Sequence, residues 1–385
     1  MKVNILQESL LQALETVLPA IKKVSLIPVF ETVAITADEN GLTLVGTDLE
    51  TTIVTTVSAT VKEVGGICLP AHTLTEFVKT LPQGDKLSMT LKEGKVQVKG
   101  SSQATLAAIN IEEFPPMRYP EGAALYSINA ETLVAGIKRA AIAAAKGDLG
   151  NARPVLSGVN LRTKAEANRL VLAGADGFRL SVQYVPMDST GPDVEAIIPA
   201  KAAMIIAKAF KNTAAPVSIW FEQGRVFFRG EGTAVVSQAI EGKYLDYVQI
   251  IPRSETYTEV IAPTEVVKHL CDLALVIIDP AQPAVFEAVP ENGSPAKIRM
   301  SAEQKELGST ATEHDVRVSG AGIGFGMNAK YLRDAVNACG AGDVALRVSG
   351  ATKPLMLFPN DGNGFAENIH VIMPYHLAEK CEVVQ

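Results

Sequence analysis

The residues that could perform acid–base or nucleophilic chemistry are few in this 385-residue chain and lie far apart in its sequence. The histidines, which are the most frequent general bases, are dispersed along the chain: His72, His269, His314, His370 and His376. A hydrolase site would have to be assembled from distant residues such as His72, Asp48 and Asp176. No metalloprotease, nucleophile-elbow or phosphate-loop motif is present. A soluble hydrolase is therefore retained only as an alternative.

The glycine-rich stretch SGAGIGFGMN, residues 319–328, invites comparison with dinucleotide-binding loops. Such loops require glycine at fixed positions, and Phe325 or Met327 stands where the last glycine is needed. The alternation of the stretch instead predicts a glycine-rich strand. No cofactor is predicted.

The four cysteines, Cys68, Cys271, Cys339 and Cys381, are scattered without a C-x-x-C pair. This spacing signals neither a disulfide framework nor a zinc site. Three of the four have apolar neighbours, so they are predicted to be buried free thiols.

The composition describes a soluble globular protein, with 47% hydrophobic and 20% charged residues. No apolar run approaches the roughly 18 residues of a membrane span, and the first ten residues do not resemble a signal peptide. We therefore expect a cytoplasmic protein. A formal net charge of −7 argues mildly against a general nucleic-acid coat. Basic residues nevertheless outnumber acidic ones in the windows predicted to be helical, so these windows predict a modestly basic surface on an acidic chain.

The elements that carry these residues are repeated along the chain. LTLVGTDLE (residues 42–50) and LVLAGADGFRL (residues 170–180) place Asp48 and Asp176 128 positions apart. Ala71, Ala200 and Ala329 stand at successive intervals of 129 within three similar apolar stretches. Because an internal period of this kind indicates a repeated structural unit, three tandem copies are predicted.

Each copy is predicted to be an α+β unit containing two amphipathic helices and several strands. The first helices are predicted to start at Ser9, Thr132 and Glu265, and the second helices lie around the three aligned alanines. Hairpin turns are predicted at residues 39–41, 93–94 and 222–224. In this arrangement Asp48 and Asp176 are turn residues of matching hairpins rather than catalytic acids. The predicted boundaries give domains at residues 1–121, 122–253 and 254–377, followed by a tail at 378–385.

Several motifs in this order resemble the bacterial β sliding clamps, the processivity subunits of DNA polymerase III. They are GTDLE, GADGFRL, AIEGKYLDYVQIIP (residues 239–252), NAKYLRDAV (residues 328–336) and VIMPYHL (residues 371–377). The resemblance covers residues 1–377. It implies a head-to-tail homodimeric ring with helices lining the inside and antiparallel sheets outside. With two helices in each of three repeats, two chains would place twelve helices around the inside of the ring. At about 10 Å across each, these would leave an opening on the order of 28 Å.

The resemblance implies that the protein encircles double-stranded DNA and tethers the replicative DNA polymerase, without enzymatic activity. The clamp loader and other proteins with a clamp-binding motif would be further partners, and no membrane is involved. A scaffold that binds peptides without encircling DNA remains a second alternative. The residues expected to face DNA are Lys22, Lys23, His72, Lys79, Lys138, Arg139, Lys146, Arg153, Lys201, Lys208, Lys211, Lys330 and Arg333.

A peptide-binding pocket between the second and third domains is also implied by the resemblance. Apolar residues would supply its affinity, and a few polar groups would orient the peptide. Carried over by motif, the pocket residues are Leu156, Ala175, Gly177, Phe178, Arg179, Leu180, Leu245, Gln249, Ile250, Asn328, Tyr331, Thr352, Pro354, Val371, Met373, Pro374, Tyr375, His376 and Leu377.

The chain departs from the family pattern at Phe178 and Leu245, which bear on peptide preference, and at Pro154 and Val155, which bear on loop contacts with DNA. The tail extends beyond the usual end of the fold. The dimer interface is expected to join apolar residues of the third and first domains: Leu275 and Val276 with Phe77, Leu81 and Leu106.

Overall fold

The computed structural model describes residues 1–116, 120, 122–222, 224–291, 295–340, 342–362 and 367–376. The chain divides into two compact units. The first contains Met1–Val134 and Pro186–Ile240, and the second contains Ala135–Val185 and Glu241–Gln385.

Seven helices and twenty-eight strands are assigned within the described residues. The helices are α1 (Gln7–Val17), α2 (Ala71–Thr80), α3 (Ala130–Ala141), α4 (Gly147–Ala152), α5 (Ala200–Ala209), α6 (Thr264–Ile277) and α7 (Ala329–Cys339). The first fourteen strands are β1 (Lys2–Leu6), β2 (Thr32–Asp38), β3 (Gly41–Thr47), β4 (Thr51–Val57), β5 (Thr60–Glu63), β6 (Gly65–Pro70), β7 (Lys86–Lys92), β8 (Lys95–Lys99), β9 (Gln103–Ala107), β10 (Ile109–Asn110), β11 (Tyr126–Ile128), β12 (Gly158–Lys164), β13 (Arg169–Ala175) and β14 (Arg179–Pro186). The others are β15 (Asp188–Ser189), β16 (Glu195–Pro199), β17 (Val217–Glu222), β18 (Arg225–Gly230), β19 (Thr233–Gln238), β20 (Thr258–Pro263), β21 (Ala284–Val289), β22 (Lys297–Gln304), β23 (Gly308–Asp315), β24 (Arg317–Ser319), β25 (Ile323–Met327), β26 (Asp343–Val348), β27 (Leu355–Pro359) and β28 (Asn368–Ile372).

The first unit contains two antiparallel sheets. One has the strand order β5-β1-β7-β8-β9, and the other has the order β10-β6-β2-β3-β4-β19-β18-β17-β11-β15. In the larger sheet, β4 pairs with β19, so strands from two successive repeats meet. We call this pairing, together with the turn at Asp48, the first junction.

The second unit repeats this plan. Its strands follow the orders β12-β13-β14-β28-β27-β26-β20-β24 and β23-β22-β21-β25. Here β14 pairs antiparallel with β28, and again two successive repeats meet. We call this pairing, together with the turn at Asp176, the second junction.

The helices form where apolar residues recur at helical spacing. In α5, Ala202, Ala203 and Ile206 are buried, whereas Lys201 and Lys208 are exposed on the other side. Helix α7 begins after Asn328, whose side chain accepts a hydrogen bond from the Tyr331 N–H at 3.0 Å. The apolar faces of α6 and α7 belong to one core with β21 and β25, in which Phe286 and Phe325 stack at 5.8 Å.

The predicted organisation is confirmed in most elements. Ala71, Ala200 and Ala329 are the first residues of α2, α5 and α7, so the interval of 129 marks the same point in each repeat. The helices α1, α3 and α6 begin one or two residues before their predicted starts. The turns at 39–41 and 93–94 join β2 to β3 and β7 to β8, and the glycine-rich stretch contains the strand β25. At 222–224 the strands pair as predicted, although Gln223 lies outside the described residues.

Within the described ranges, no helix is long and apolar enough to cross a membrane.

Candidate functional site

A cavity of about 510 Å³ opens in the second unit and is lined by four segments of the chain. These segments are the turn between β13 and β14, the loop after α6, the start of α7 and the residues that follow β28. The residues that line it are Phe178, Asp279, Pro280, Ala281, Asn328, Lys330, Tyr331, Met373, Pro374, Tyr375 and His376. Its wall is largely aromatic and aliphatic with a few polar groups, which is the usual make-up of a ligand cleft.

The turn at Asp176 places Phe178 at the mouth of this cavity. One carboxylate oxygen of Asp176 accepts hydrogen bonds from the backbone N–H groups of Phe178 and Arg179, both at 2.9 Å. Gly177 between them has a φ of +88°, a conformation that favours glycine. Phe178 is 57% exposed, although phenylalanine usually lies in the core. The turn therefore holds a large apolar surface in a position available to a ligand.

Arg179 joins the turn to helix α7 through a nearly buried ion-pair network. Its Nε donates to Asp176 at 2.9 Å and its Nη1 donates to Asp334 at 2.9 Å. The Arg179 side chain is 10% exposed and that of Asp176 is 7% exposed, so solvent screens this pair weakly. The guanidinium also lies 4.2 Å from the centre of the Tyr331 ring. Burial, supported by the Asp176 carboxylate, raises the pKa of the Tyr331 hydroxyl above its usual value.

Two further side chains fix the remaining walls of the cavity. Asn328 donates its side-chain N–H to the Pro280 carbonyl at 2.7 Å, which ties the loop after α6 to the start of α7. Tyr375 donates its backbone N–H to the Gly326 carbonyl and its hydroxyl to the Ala281 carbonyl, both at 2.9 Å. The cavity is thus preformed by hydrogen bonds between distant parts of the chain.

A polar strip lies along the second junction beside Arg179. Gln183 donates to the Asn368 side chain at 2.7 Å, and Ser181 donates to the Arg139 carbonyl at 2.8 Å. His370, opposite Ser181, is buried. Burial, with the nearby charges of Arg139 and Arg179, lowers the pKa of His370 to about 3, so this imidazole is neutral at physiological pH.

The structure brings together seven of the nineteen residues expected to form a peptide pocket: Phe178, Asn328, Tyr331, Met373, Pro374, Tyr375 and His376. Arg179 and Gly177 shape the adjoining turn. The expected residues that are buried are Leu156, Ala175, Leu180 and Val371, and those that are half-buried or exposed elsewhere in the second unit are Leu245, Gln249, Ile250, Thr352 and Pro354. Leu377 lies outside the described residues.

Four lining residues were not expected at this cavity: Asp279, Pro280, Ala281 and Lys330. The first three form the loop after α6, where D-P-A is a recognisable turn sequence but carries no sign of its distant partners. Lys330 belongs to the residues expected to face DNA, and its place two residues after Asn328 is the sequence signal that could have assigned it to this cavity.

The expected DNA-facing residues are mostly exposed. Exposed are Lys22, Lys23, Lys79, Lys138, Lys146, Arg153, Lys201, Lys208, Lys211 and Lys330, and half-buried are His72, Arg139 and Arg333. Three of the thirteen make ion pairs: Lys79 with Glu76 and Glu15, Lys201 with Asp48, and Arg333 with Asp272.

The sequence windows predicted to be helical include Lys22, Lys23, Lys146 and Lys211, and this part of the prediction is wrong because the four residues lie beyond the helices. Helix α1 ends at Val17, before Lys22 and Lys23, and α3 and α5 end before Lys146 and Lys211. The six longer helices, all but α4, carry eight basic and seven acidic residues between them, so the helices themselves are close to neutral. The four lysines beyond the helix ends therefore lie in the segments that follow α1, α3 and α5.

The residues expected at a dimer interface differ in how much surface they offer. Val276 is 73% exposed, Phe77, Leu106 and Leu275 are half-buried, and Leu81 is buried in the first unit. Leu81 therefore offers little surface to another chain.

Asp48 and Asp176 each accept backbone hydrogen bonds in matching turns, as predicted for turn residues. Cys68, Cys271 and Cys339 are buried free thiols, as predicted, and burial raises the pKa of Cys68 to about 11 and that of Cys339 to about 12. No group of metal-ligating side chains is found in the part of the chain that the structure describes.

Comparison with known proteins supports one family along the whole chain. Models of the DNA polymerase III beta subunit match in order: its N-terminal domain at residues 1–118, its central domain at 127–246 and its C-terminal domain at 249–376. The beta sliding clamp of Synechococcus elongatus is 25% identical over 358 residues, covering 91% of this chain and 92% of the relative. That of Staphylococcus aureus is 24% identical, covering 97% of this chain and all of the relative.

Solved structures show the same fold. The DNA polymerase sliding clamp of Bacillus subtilis superposes with a TM-score of 0.87 at 22% identity, covering 98% of this chain and all of the other. The DNA polymerase III beta subunit of Pseudomonas aeruginosa gives a TM-score of 0.87 at 24% identity with the same coverage. With three tandem clamp domains of α+β structure and antiparallel sheets, the chain belongs to the DNA polymerase III beta-subunit family, the bacterial β sliding clamps.

Proposed function

We propose that two copies of this protein close head to tail into a ring around duplex DNA and tether the replicative DNA polymerase to it, without catalysing a reaction. The observation that carries this proposal is the ordered match of all three beta-subunit domains across residues 1–376. The domain limits proposed with it are 1–121, 122–253 and 254–377, followed by the tail at 378–385.

The charge distribution supports retention by enclosure rather than by tight binding. A protein that neutralises many phosphates binds DNA with a steep dependence on salt and resists movement along it. The helices here are nearly neutral, and the exposed lysines that follow them, such as Lys146 and Lys211, are few. Such a surface would make loose phosphate contacts that break and re-form at little cost as the ring slides.

The cavity in the second unit is the proposed docking site for partner peptides. Phe178, Tyr331 and Met373 offer apolar surface, and Lys330 and His376 provide polar groups at the same site. An extended peptide that places apolar side chains against this wall would gain affinity by burial and orientation by the polar groups. The replicative polymerase, the clamp loader and other proteins with a clamp-binding motif are the proposed partners.

The test of this function is retention on circular and linear DNA. The protein would be loaded by its clamp loader onto a nicked circular plasmid, and the salt concentration would then be raised to weaken phosphate contacts. We expect the protein to remain on the circle and to leave once the plasmid is linearised.

A matched variant sharpens this test. Changing Lys146 and Lys211 to alanine should reduce binding to linear DNA at low salt but leave retention on the circle at high salt unchanged. Loss from the circle at high salt would contradict enclosure. Failure to load, with peptide binding intact, would favour a scaffold that does not encircle DNA.

A further inference from the structure

The segment at residues 373–376 forms one wall of the cavity. Met373, Pro374, Tyr375 and His376 line the cavity in succession. Tyr375 is held at two points, since its N–H bonds to the Gly326 carbonyl and its hydroxyl bonds to the Ala281 carbonyl. The sequence that follows His376 therefore starts from a fixed point at this site.

That sequence continues past the family's domain. The C-terminal beta-subunit model ends at residue 376, whereas the chain continues with LAEKCEVVQ at residues 377–385. Nine residues can span at most about 30 Å when extended. Reversal of the chain needs only a four-residue turn, which residues 378–381 can supply. Glu382, Val383 and Val384 would then be free to return toward the cavity.

The chemistry of these three residues matches the cavity. Two valines can cover the apolar surface of Phe178 and Tyr331, whose exposure to water is unfavourable. The carboxylate of Glu382 can pair with the ammonium of Lys330, which makes no ion pair with another described residue. The other acid at the cavity, Asp279, already accepts a hydrogen bond from the Ala281 N–H at 2.9 Å.

We propose that residues 382–384 of the tail fold back into this cavity in the same chain, so that partner peptides must displace them. This inference rests on the proposed function, because it concerns regulation of the same docking site. A segment joined by a short linker is present at an effective concentration in the millimolar range. Even weak contacts then occupy the cavity much of the time, and the apparent affinity for a partner falls by about twofold to tenfold.

The position of the tail can be tested with its own cysteine. Cys381 belongs to the tail, whereas Cys68, Cys271 and Cys339 are buried. A second thiol would be introduced by Ala281→Cys in the cavity wall. The matched control is Asp315→Cys, at an exposed position where β23 ends. Through β22, Asp315 lies beside the last residue of β21, whereas Ala281 precedes the first residue of β21.

Each variant would be oxidised with diamide as the full-length protein, and disulfides would be mapped by mass spectrometry. We expect the 281–381 disulfide to form within one chain at least about tenfold faster than the 315–381 disulfide. Equal rates, or disulfides only between two chains, would overturn the proposal.

A second measurement uses a labelled synthetic peptide of residues 378–385 in which serine replaces Cys381. We expect it to bind a chain shortened after Leu377 about twofold to tenfold more tightly than the full-length chain. Full-length protein with Val383→Ser and Val384→Ser should bind it like the shortened chain. Equal binding to shortened and full-length protein, or no binding to the shortened chain, would contradict the proposal.

Neither measurement involves DNA, so the two proposals can fail separately. A protein that is retained on circular DNA but shows no preference for the 281–381 disulfide retains the clamp function and loses the regulatory one. A protein that forms this disulfide but leaves circular DNA at high salt has the opposite result.

Discussion

The two junctions of the chain share a backbone frame but differ in their side chains. The N–H of Asp48 donates to the Thr51 carbonyl, and that of Asp176 donates to the Arg179 carbonyl, both at 3.2 Å. Three further pairs of contacts correspond in the same way. The Gln238 N–H donates to the Glu50 carbonyl at the first junction, as the Met373 N–H donates to the Phe178 carbonyl at the second. Likewise, the Ile240 N–H donates to the Ile197 carbonyl and the Tyr375 N–H to the Gly326 carbonyl. The side-chain hydrogen bond between Thr55 and Thr233 corresponds to the one between Gln183 and Asn368.

The side chains of the two turns differ most at the second carboxylate oxygen. At the first junction this oxygen of Asp48 meets Lys201, whose side chain is 72% exposed, at 3.2 Å. At the second junction the oxygen of Asp176 meets Arg179, which also binds Asp334 and lies over Tyr331. Where Phe178 stands in the second turn, the first has Glu50.

This comparison shows which part of the candidate site comes from the fold and which from the sequence. The shared backbone hydrogen bonds fix the turn, the pairing of two strands and the path of the chain after the second strand. They are present at both junctions. The apolar surface at the second junction depends on a few side chains that the first junction lacks, such as Phe178 and Arg179. Altering those side chains, with the corresponding residue of the first junction as control, should therefore separate the two contributions.

The largest effect is expected from Arg179→Ala. Removal of the guanidinium leaves the carboxylates of Asp176 and Asp334 without their cation, and breaking a nearly buried pair typically costs about 3–5 kcal/mol. The control Lys201→Ala breaks an ion pair with an exposed partner and should cost about 1 kcal/mol or less. Hydrogen exchange of β14 and β28, compared with β4 and β19, measures the local opening free energy at each junction. Equal losses at the two junctions would refute the distinction.

The next effect concerns pH and His370, whose position at the first junction is occupied by Val235. The pKa of His370 falls from 6.5 to about 3 on folding because the ring is buried. As the pH drops below 6.5 the unfolded chain binds a proton that the folded chain does not accept until about pH 3. Stability should therefore fall by about 1.4 kcal/mol per pH unit in this window, or about 2 kcal/mol between pH 6.5 and 5.

The variant His370→Val reproduces the first junction and should remove this decline. The other four histidines contribute equally to both proteins, so the difference between their unfolding free energies isolates His370. Urea unfolding at pH 7 and pH 5 provides the measurement. A variant that loses as much stability as the parent between these pH values would show that another group is responsible.

A smaller effect, confined to binding, is expected from Phe178→Ala. Truncation of an exposed aromatic anchor should weaken binding of a fluorescent peptide from the replicative polymerase by about tenfold, or about 1.4 kcal/mol. The control Glu50→Ala, at the corresponding position of the first turn, should leave the affinity unchanged. Fluorescence anisotropy measures both. Unchanged affinity for the Phe178 variant would place the peptide elsewhere.

The repeated frame was predictable because local sequence encodes it. The alanines at 71, 200 and 329 begin helices in register, and the turn at residues 93–94 is favoured by Glu93-Gly94, where both residues adopt positive φ. Helix ends were less predictable. Helix α1 ends at Val17 because Pro19 follows in a tighter turn. Helix α3 ends at Ala141, where the Ala140 carbonyl packs closely against Gly174 of β13.

The cavity was only partly predictable for a different reason. Its aromatic and terminal residues, such as Phe178 and Tyr375, belong to motifs of the family resemblance. The loop at residues 279–281 is brought to them by Asn328 and Tyr375, which are 48 and 94 positions from their hydrogen-bond partners in this loop. No local pattern encodes contacts at that separation, so only the fold could reveal them.

The smallest expected effect tests the turn backbone itself. Gly177 has a φ of +88°, and the corresponding Leu49 has a φ of +76°, so the frame imposes the left-handed conformation in both turns. A Cβ at Gly177 would meet nothing within 4 Å, so Gly177→Ala should cost only the backbone preference, about 1 kcal/mol. Leu49→Gly removes the strain of a left-handed leucine from the folded state but increases the conformational entropy of the unfolded chain. These two opposing contributions should leave the stability unchanged to within about 0.5 kcal/mol. Hydrogen exchange of the two turns would reveal these changes. If Gly177→Ala had no effect while Arg179→Ala did, the second junction would be held by its ion pairs alone, and the glycine would serve only to let Phe178 reach the cavity.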